Sequence, residues 1–549
     1  MNKQYHFKYY CCTVLLLITL GSCNKDKEID VTPRDQFSDA TVWTDEGATD
    51  LFLNDIYLQL PNGNTWYDPF DNWSDNSICG FAWPGSRILA QQAVYTPSTL
   101  TFGDIGNAYD WTTLYTNIRK CNVFIEKVTA SELDPDYKKL RLAETRFLRA
   151  YYYHMLWMAY GGVPVITDVL NINEQGDSVF RARNTFDETF QFIDTECEAA
   201  YAGLPLRAES GRASQGAALA LKGWCELFAH KFSESAATNK RVIDSLGYDL
   251  NSDYAAFFLS IDDASSESIF YREYIPRVRG GNIDGTIGTT FTKGGAETSW
   301  GGQDPTQELI DDYEMDNGKE ISDPTSGYDP QQPYKNREQR FYESIVYDSN
   351  YWYDGIIYTR QGIGSPNEID LADKDDATQT AYYVRKRISD KITLGADNWS
   401  GYTSPQNYSY FRYGEILLNY AEAQNEAVGP DASVYDAINK IRARVSLPPL
   451  PAGLSQAGMQ KAIRRERRVE LAFEDKRWWD LIRWNIAHIN LNQPLHGMAI
   501  KANSSGVLVY TPVPAVGGDR RFDASKNYLF PIPQDVLDKN KQLQQNPGY

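Results

Sequence analysis

The sequence is poor in the residues and motifs on which most catalytic and metal sites depend. Its 549 residues include 5 histidines, and four of these do not form a metal-ligand spacing: His154, His230, His488 and His496. There is no GxSxG nucleophile elbow, no HExxH zinc motif and no phosphate-binding loop. The sequence therefore predicts no cofactor and no metal enzyme. Residues 312–318 resemble a calcium loop with its glycine one place late, which leaves a structural calcium ion open.

Cysteine is also scarce and carries no redox or zinc motif. Three of the 7 cysteines lie near the N-terminus, and the other four, Cys79, Cys121, Cys197 and Cys225, contain no CxxC pair. Cys121 and Cys225 lie among apolar helical residues, which predicts buried free thiols. Disulfide pairing stays open from the sequence alone.

Positive charge is in deficit. The chain carries 54 Lys and Arg against 73 Asp and Glu, a formal charge of -19. Affinity for nucleic acid comes mainly from clustered Lys and Arg, so nucleic acid is excluded as an expected partner. The acidity itself identifies no ligand.

The chain has no run of eighteen apolar residues, and so no candidate transmembrane helix. Its N-terminal apolar run, residues 14–20, is preceded by Lys3 and Lys8 and leads through two small residues to Cys23. This pattern resembles a bacterial lipobox, which predicts residues 1–22 as a lipoprotein signal peptide and Cys23 as the lipidated residue. An ordinary signal peptide with an incidental cysteine is the alternative. Residues 23–40 are then a lipidated tether.

Helical periodicity dominates the regular parts of the chain. Amphipathic stretches cover residues 45–58, 109–129, 137–160, 185–204, 213–230, 431–445 and 456–484. Between about 250 and 405 the composition changes to Gly, Tyr, Thr and Asp with short extended runs. We predict a mainly α fold in one body, 41–549. Tetratricopeptide-like helical hairpins over about 41–250 and 405–549 form its scaffold, and residues 250–405 with loop 60–90 form a loop-rich part containing short β-strands.

Several segments of the chain follow one another in the order of a known family signature. They are residues 143–152 (AETRFLRAYY), 160–164 (YGGVP), 305–310, 336–341, 411–423, 441–444, 466–474, 477–484, 530–533 and 545–549. This ordered set resembles the SusD/RagB family of outer-membrane nutrient-binding lipoproteins. The resemblance covers nearly the whole mature chain. It implies a mainly helical fold with four tetratricopeptide-like pairs. It also implies capture of an oligosaccharide or polysaccharide and its delivery to a SusC-like TonB-dependent outer-membrane transporter, on which the protein acts as a lid. The expected location is the outer membrane, lipid-anchored and facing the exterior.

Two loops combine aromatic residues with side chains able to bond sugar hydroxyls. Neutral sugars offer hydroxyls and apolar C–H faces, so their sites need exposed aromatic rings beside planar hydrogen-bonding groups. Residues 64–86 and residues 280–303 have this mixture. The resemblance implies a site built from an early loop and the loop before residue 305, so Trp83 and Trp300 are the leading platform candidates. The further ligand-binding candidates are Trp73, Asp71, Asn72 and Asp75.

Other aromatic groups have a structural interpretation. Trp352, Tyr353 and Trp399 form a third group that would extend a binding surface or pack. Five tryptophans lie within amphipathic helices and are predicted to belong to the core or to helix interfaces: Trp157, Trp224, Trp478, Trp479 and Trp484.

One series of glutamates could indicate a catalytic site. Glu466, Glu470 and Glu474 follow at four-residue spacing, which is the geometry of ion pairs on a helix surface. Glycoside hydrolysis instead needs two carboxyl groups flanking one sugar bond. We therefore expect a structural role for the series and no enzyme. A transporter lid for peptides or other nutrients is the alternative function, and a lipid-anchored, all-helical glycoside hydrolase is a more remote one.

Overall fold

The computed structural model describes most of the chain after residue 38. The described residues are 39–63, 69–83, 87, 90–91, 95–98, 100, 109–259, 265–275, 280–281, 283–291, 299–373, 377–390 and 404–549. The predicted signal peptide, Cys23 and most of the tether lie outside them, as do Trp66 and Trp399.

Helices account for most of the regular structure. The α-helices of the described residues are, in chain order, α1 (Asp39–Val42), α2 (Glu46–Leu58), α3 (Trp111–Ala130), α4 (Pro135–Tyr160), α5 (Ile172–Gln175), α6 (Phe186–Gly203), α7 (Gln215–Phe228), α8 (Phe232–Ser245), α9 (Tyr254–Leu259), α10 (Ile283–Thr286), α11 (Gln307–Asp312), α12 (Gln339–Ser344), α13 (Tyr413–Val428), α14 (Ala432–Arg444), α15 (Gln456–Glu470), α16 (Arg477–Arg483), α17 (Ala487–Asn490) and α18 (Gln534–Lys539). Short 3-10 helices cover Phe70–Trp73 and Gly176–Val179.

The strands are short and pair two by two. They are β1 (Ser77–Ile78), β2 (Ser268–Arg272), β3 (Asp304–Pro305), β4 (Ile345–Val346), β5 (Asn350–Trp352), β6 (Gly355–Ile357), β7 (Tyr383–Val384), β8 (Tyr408–Arg412), β9 (His496–Ala502) and β10 (Leu508–Pro514). The antiparallel pairs are β1–β3, β2–β8, β4–β7, β5–β6 and β9–β10. The mainly α fold predicted from the periodicity is confirmed.

Local sequence explains where the long helices begin. Asp134 caps α4 by accepting the backbone N–H groups of Asp136 and Tyr137 at 2.9 and 3.0 Å, and Pro135 occupies the first turn. Thr185 and Glu188 form a reciprocal capping box at the start of α6. Both devices satisfy N–H groups that lack a partner within the helix.

The long helices pack successively into one scaffold. Helix α3 packs on α4, α4 on α6, α6 on α7, and α7 on α8. Helix α8 then packs on α13, which lies beyond the loop-rich part in sequence, and α13 contacts α14 and α15. Small residues allow the close approach of α7 and α8, where Ser235 Oγ donates to the carbonyl of Gly223 at 2.8 Å. The loop-rich part is thus inserted between helices that are neighbours in space. The number of tetratricopeptide-like pairs stays a prediction.

Two main hydrophobic cores correspond to these two parts. The larger one lies among the scaffold helices and includes four of the tryptophans predicted to be buried, Trp157, Trp224, Trp478 and Trp479. Trp484 is half-buried, and its Nε1 donates to Glu422 at 2.6 Å. The smaller core surrounds the short strands between residues 283 and 388 and includes residues of β9 and of the turn after α15.

Buried ion pairs join the two parts. This ion-pair network consists of Arg340, Lys386, Arg412, Arg442, Arg444, Glu267, Glu314, Glu338, Glu466, Glu470 and Glu474. Glu470 accepts from Arg340 at 3.0 Å and from Arg412 at 2.8 Å. Arg412 also bonds Glu267 and Glu474, each at 2.8 Å. The glutamate series therefore has a structural role, but the predicted position on a helix surface is wrong. These carboxylates face inward, because their cationic partners come from the loop-rich part, from β8 and from helix α14.

The electrostatics of the network follow from burial and pairing. Burial alone would raise the pKa of Glu474, but Arg412 and Lys386 hold it at about 2. Burial lowers the pKa of Lys386 to about 8, although Glu474 opposes that shift. Charges removed from water in this way are stable only while their partners stay in place.

Three further expectations concern cysteines, metals and the membrane. Cys121, Cys197 and Cys225 are buried free thiols, which confirms the prediction for Cys121 and Cys225, and Cys79 is buried as well. Among the described residues no group of three or more His, Cys, Asp or Glu side chains could hold a metal ion. In the segment that resembles a calcium loop, Asp312 pairs with Arg468, and Glu314 pairs with Arg442 and Arg465. In the described part of the chain, no helix is both long and apolar enough to span a membrane.

Candidate functional site

A short strand pair brings the two aromatic loops together. Ser77 of β1 pairs with Pro305 of β3, and Ile78 pairs with Asp304, in antiparallel register. Just before β1, the carbonyl of Asp75 accepts a hydrogen bond from Thr306 Oγ1 at 2.7 Å. Because the strands run antiparallel, the chain after β1 and the chain before β3 leave the pair on the same side. Residues 79–83 therefore lie beside residues 300–303.

The two loops approach at a pair of glycines. A Cβ added to Gly80 would lie 2.1 Å from the carbonyl oxygen of Gly301, so any side chain there would separate the loops. Gly301 has a φ of +60°, which L side chains rarely adopt. The sequence gives glycine at both positions, and this permits the contact.

Three aromatic rings line the joined loops and form what we call the aromatic ledge: Phe81, Trp83 and Trp300. The ring centroid of Phe81 lies 5.8 Å from that of Trp83 and 6.5 Å from that of Trp300. Trp83 is 56% exposed, Trp300 is half-buried and Phe81 is buried. The ledge therefore offers an open aromatic surface over a buried aromatic ring. The structure brings the two leading platform candidates together through Phe81.

Phe81 was missed from the sequence. The signal that could have identified it is its place two residues before Trp83, since alternate residues of an extended segment share a side. The sequence did not indicate a binding role for Phe81, because a single phenylalanine in a loop usually packs against the protein body.

Polar groups border the ledge next to Gly80. Gln379 Nε2 donates to Asp373 Oδ1 at 2.7 Å and to the carbonyl of Gly80 at 3.3 Å. Arg87 Nη1 lies 3.0 Å from the same Asp373 oxygen. We call Arg87, Asp373 and Gln379 the polar bracket. Arg87 and Gln379 are buried, whereas the Asp373 side chain stays 34% exposed, so its carboxylate is the bracket group open to a hydroxyl donor.

A buried aspartate supports the bracket from below. Asp304 Oδ2 accepts the backbone N–H of Gln379 at 2.9 Å. Burial raises the pKa of Asp304 well above its usual range, against the opposing effect of that N–H. Asp304 thereby fixes the backbone from which the Gln379 side chain extends.

The other predicted ligand contacts are corrected by their burial. Trp73 is 2% exposed, and its ring packs against Tyr95 at 5.8 Å, Trp478 at 5.8 Å and Phe530 at 6.1 Å. A ring enclosed on these sides has no face for a sugar. Asp71, Asn72 and Asp75 are buried as well, with at most 3% exposure. The loop composition suggested exposure, but contacts with the C-terminal third enclose these residues.

Each buried polar residue has a structural partner instead. Asp75 accepts two hydrogen bonds from Arg477, at 2.7 and 2.9 Å. Asp71 Oδ2 accepts the N–H of Phe473 at 2.7 Å, and burial, reinforced by nearby Asp475, raises the pKa of Asp71 to about 7. These bonds fix the loop before β1 to the turn after α15 and to the start of α16.

Asn72 acts on the site indirectly. Its Nδ2 donates to the carbonyl of Gly302 at 2.9 Å, two residues after Trp300. The side chain therefore holds the second aromatic loop against the first without reaching solvent itself.

The third aromatic group packs rather than extending the surface. Trp352 is 4% exposed, and the guanidinium of Arg385 lies 4.7 Å from its ring centroid. Tyr353 lies 5.3 Å from Trp352 in a T-shaped arrangement. Trp399 lies outside the described residues.

Comparison with family models covers both halves of the chain. A model described as SusD family matches residues 266–549. A model described as starch-binding, associating with outer membrane, matches residues 61–223. The second range contains the loop with Phe81 and Trp83, and the first contains the loop with Trp300.

Curated relatives align over most of the chain. The SusD-like protein P25 of Formosa agariphila is 23% identical over 505 residues, which cover 86% of this chain and 89% of that protein. The SusD-like protein P2 of the same organism is 35% identical over 158 residues, 27% of each.

Solved structures share the fold. A SusD-like protein from Bacteroides fragilis NCTC 9343 superposes with a TM-score of 0.77 at 27% identity, covering 93% of this chain and 99% of that chain. A SusD-like carbohydrate binding protein from the same strain gives a TM-score of 0.78 at 25% identity, covering 92% and 100%.

Proposed function

The chain belongs to the SusD family, and we propose that it is a glycan-capture protein of the outer cell surface. It binds an oligosaccharide at the aromatic ledge without cleaving it and delivers it to a SusC-like TonB-dependent transporter. Cys23 carries the lipid that holds the protein to the outer membrane, and residues 23–40 form the tether.

The observation that carries this proposal is the exposure of Trp83 on a fixed aromatic ledge. A large aromatic ring normally gains free energy by burial, so an indole that is 56% exposed leaves apolar surface in water. Sugar rings present polarised C–H groups that suit the negative face of such a ring. Within the adjacent polar bracket, the Asp373 side chain is 34% exposed, so its carboxylate can accept a sugar hydroxyl. Together these features support a neutral, hydroxyl-rich ligand that stacks and hydrogen-bonds at once.

The relatives support the same ligand class. One of the superposed structures is described as a carbohydrate binding protein, and one matching family model is described as starch-binding. The same model description, associating with outer membrane, supports the proposed location.

The buried network supports binding without catalysis. Glu470 and Glu474 are each held by two or more cations and are at most 9% exposed, so neither can reach a sugar bond. A glycosidase needs two accessible carboxyl groups on opposite sides of that bond. Chromatographic product analysis after incubation with each bound glycan tests this part, and released shorter sugars would overturn it.

The site itself is tested by calorimetric titration of the purified full-length chain in detergent against an oligosaccharide panel. Wild type is expected to bind at least one glycan class. Trp83→Ala and Trp300→Ala should each weaken that binding by about tenfold or more, the scale expected for loss of a stacking partner. Tyr351→Ala is the matched control, since Tyr351 is an aromatic residue 61% exposed on the β5–β6 hairpin.

The alternatives are separate outcomes of that titration. Binding of peptides but of no glycan would favour the transporter-lid alternative. Glycan binding that survives both tryptophan substitutions would keep the function and remove the ledge as its site. Co-purification of a TonB-dependent transporter from outer membranes tests the proposed partner.

A further inference from the structure

The carboxylate of Asp373 is held in one orientation at the edge of the ledge. One hydrogen bond and one ion pair converge on its Oδ1: Gln379 Nε2 donates at 2.7 Å, and Arg87 Nη1 lies at 3.0 Å. Arg87 is 6% exposed and Gln379 is fully buried, whereas the Asp373 side chain remains 34% exposed. The buried partners thus position a carboxylate that a ligand can still reach.

Close packing below the bracket restricts its movement. A Cβ added at Gly517 would lie 2.7 Å from Gln379 Oε1 and 2.9 Å from Arg87 Cζ. Both side chains therefore lie directly against this backbone. A hydrogen-bonding group fixed before ligand arrives loses less conformational entropy on binding than a mobile one.

The bracket is connected to the aromatic rings through Gly80. Gln379 Nε2 bonds both Asp373 Oδ1 and the carbonyl of Gly80, and Gly80 directly precedes Phe81. One amide group therefore separates the carboxylate from the backbone of the ledge. Asp373 and the residue that precedes Phe81 are therefore joined by one hydrogen-bonded side chain.

We propose that Asp373 determines specificity at the ledge by accepting sugar hydroxyls, so that the captured ligand is a neutral oligosaccharide rather than a uronate or sulfated one. This inference rests on the proposed capture of glycan at the ledge. An ionised carboxylate is an acceptor only, and it bonds hydroxyl donors strongly. An anionic sugar at the same place would meet like charge, and the charge of -19 on the chain acts in the same direction.

The test compares neutral and anionic probes on the full-length chain in detergent. Neutral probes are maltohexaose, laminarihexaose, xylohexaose and mannohexaose, and anionic probes are oligogalacturonate, oligoalginate and a sulfated galactan oligosaccharide. Wild type should bind a neutral probe at least tenfold more tightly than any anionic one. Asp373→Asn should weaken neutral binding by about tenfold, the effect of losing a charged hydrogen-bond acceptor. Asp373→Asn should also bring the affinities for neutral and anionic probes closer together.

Two further variants separate charge from position. Asp373→Glu keeps the charge but displaces it, so it should lose neutral affinity while still rejecting anionic probes. Asp244→Asn is the matched control, because it removes a carboxylate from an ion pair with Lys240 on scaffold helix α8. It should leave both affinities unchanged. Thermal unfolding of each variant shows whether the fold is intact.

The outcomes distinguish this inference from the proposed function. The role of Asp373 is overturned if wild type binds an anionic probe more tightly than a neutral one. It is also overturned if folded Asp373→Asn keeps the wild-type ratio of neutral to anionic affinity. If Trp83→Ala still abolishes neutral binding in that case, capture at the ledge stands. Absence of binding to every glycan overturns both.

Discussion

The aromatic ledge and the ion-pair network each place side chains in an environment that is unfavourable for them, but in opposite ways. The network places charges in the interior, where Arg340, Arg412 and Glu470 are at most 1% exposed. The ledge does the reverse, because Trp83 leaves more than half of a large apolar side chain in water. Both arrangements involve the loop-rich part, yet one joins it to the scaffold and the other faces outward.

This difference separates the residues that stabilise the fold from those proposed to bind ligand. Each carboxylate of the network is neutralised by cations within hydrogen-bonding distance, so removing one partner leaves a buried charge unpaired. On the ledge, by contrast, the Trp83 ring leaves apolar surface in water. Residues that stabilise the fold should therefore change unfolding strongly and binding only through unfolding. The exposed ledge residue Trp83 should change binding alone.

The largest expected effect is on the stability of Arg412→Met. This change removes the partner of Glu267, Glu470 and Glu474, and breaking a buried ion pair from one side costs about 3–5 kcal/mol. Denaturant unfolding measures it. Arg241→Met is the control, since Arg241 forms an exposed pair with Glu198 and its loss should cost under about 1 kcal/mol. Equal denaturant midpoints for Arg412→Met and Arg241→Met would contradict the stabilising role of the buried network.

The second-largest expected effect is the loss of stability at low pH, where the network loses charge. The pKa of Glu474 is about 2 in the folded chain against 4.5 ordinarily, so the folded state binds its proton less readily than the unfolded state. Its contribution is present above pH 4.5 and is lost as pH falls towards 2, by about 3 kcal/mol. Unfolding free energies at pH 5 and pH 3 should differ by about 2 kcal/mol of this total, and Glu474→Gln should flatten the dependence. An equally steep dependence in the variant would contradict the assignment.

A smaller effect is expected at the boundary between the two regions. Asn72→Ala removes the bond to the carbonyl of Gly302 and should cost about 1 kcal/mol of stability. Because Gly302 follows Trp300 closely, glycan affinity should also fall, by about threefold. Unfolding and titration of the same preparation measure both. A change in stability without any change in affinity would show that this anchor serves the fold alone.

The smallest stability effect belongs to Trp83→Ala. An exposed side chain contributes little to folding, so the unfolding free energy should change by less than about 0.5 kcal/mol. Loss of glycan binding at unchanged stability would sharpen the contrast with Arg412→Met. A large destabilisation would instead assign Trp83 to the fold.

Sequence reasoning succeeded where the signal is local or shared with a family. Periodicity and caps such as Asp134 depend on neighbouring residues, so the helices could be predicted. The pairing of the loops with Trp83 and Trp300 followed from the family resemblance, and the β1–β3 pair provides its physical basis.

It failed where burial depends on distant partners. Glu470 looked like a surface residue because spacing identifies a helix face but not what that face meets, and Arg340 lies 130 residues away. Trp73 looked exposed for the same reason, since Trp478 and Phe530 enclose it from the C-terminal third. Phe81 and Asp373 gained importance only once the loops were placed together.

The most direct test of capture at the ledge is an experimental structure of the chain bound to the oligosaccharide that titrates most tightly. We predict a sugar ring stacked on Trp83 or Trp300, with a hydroxyl within hydrogen-bonding distance of Asp373. A sugar bound elsewhere, with the Trp83 ring still in solvent, would contradict the account.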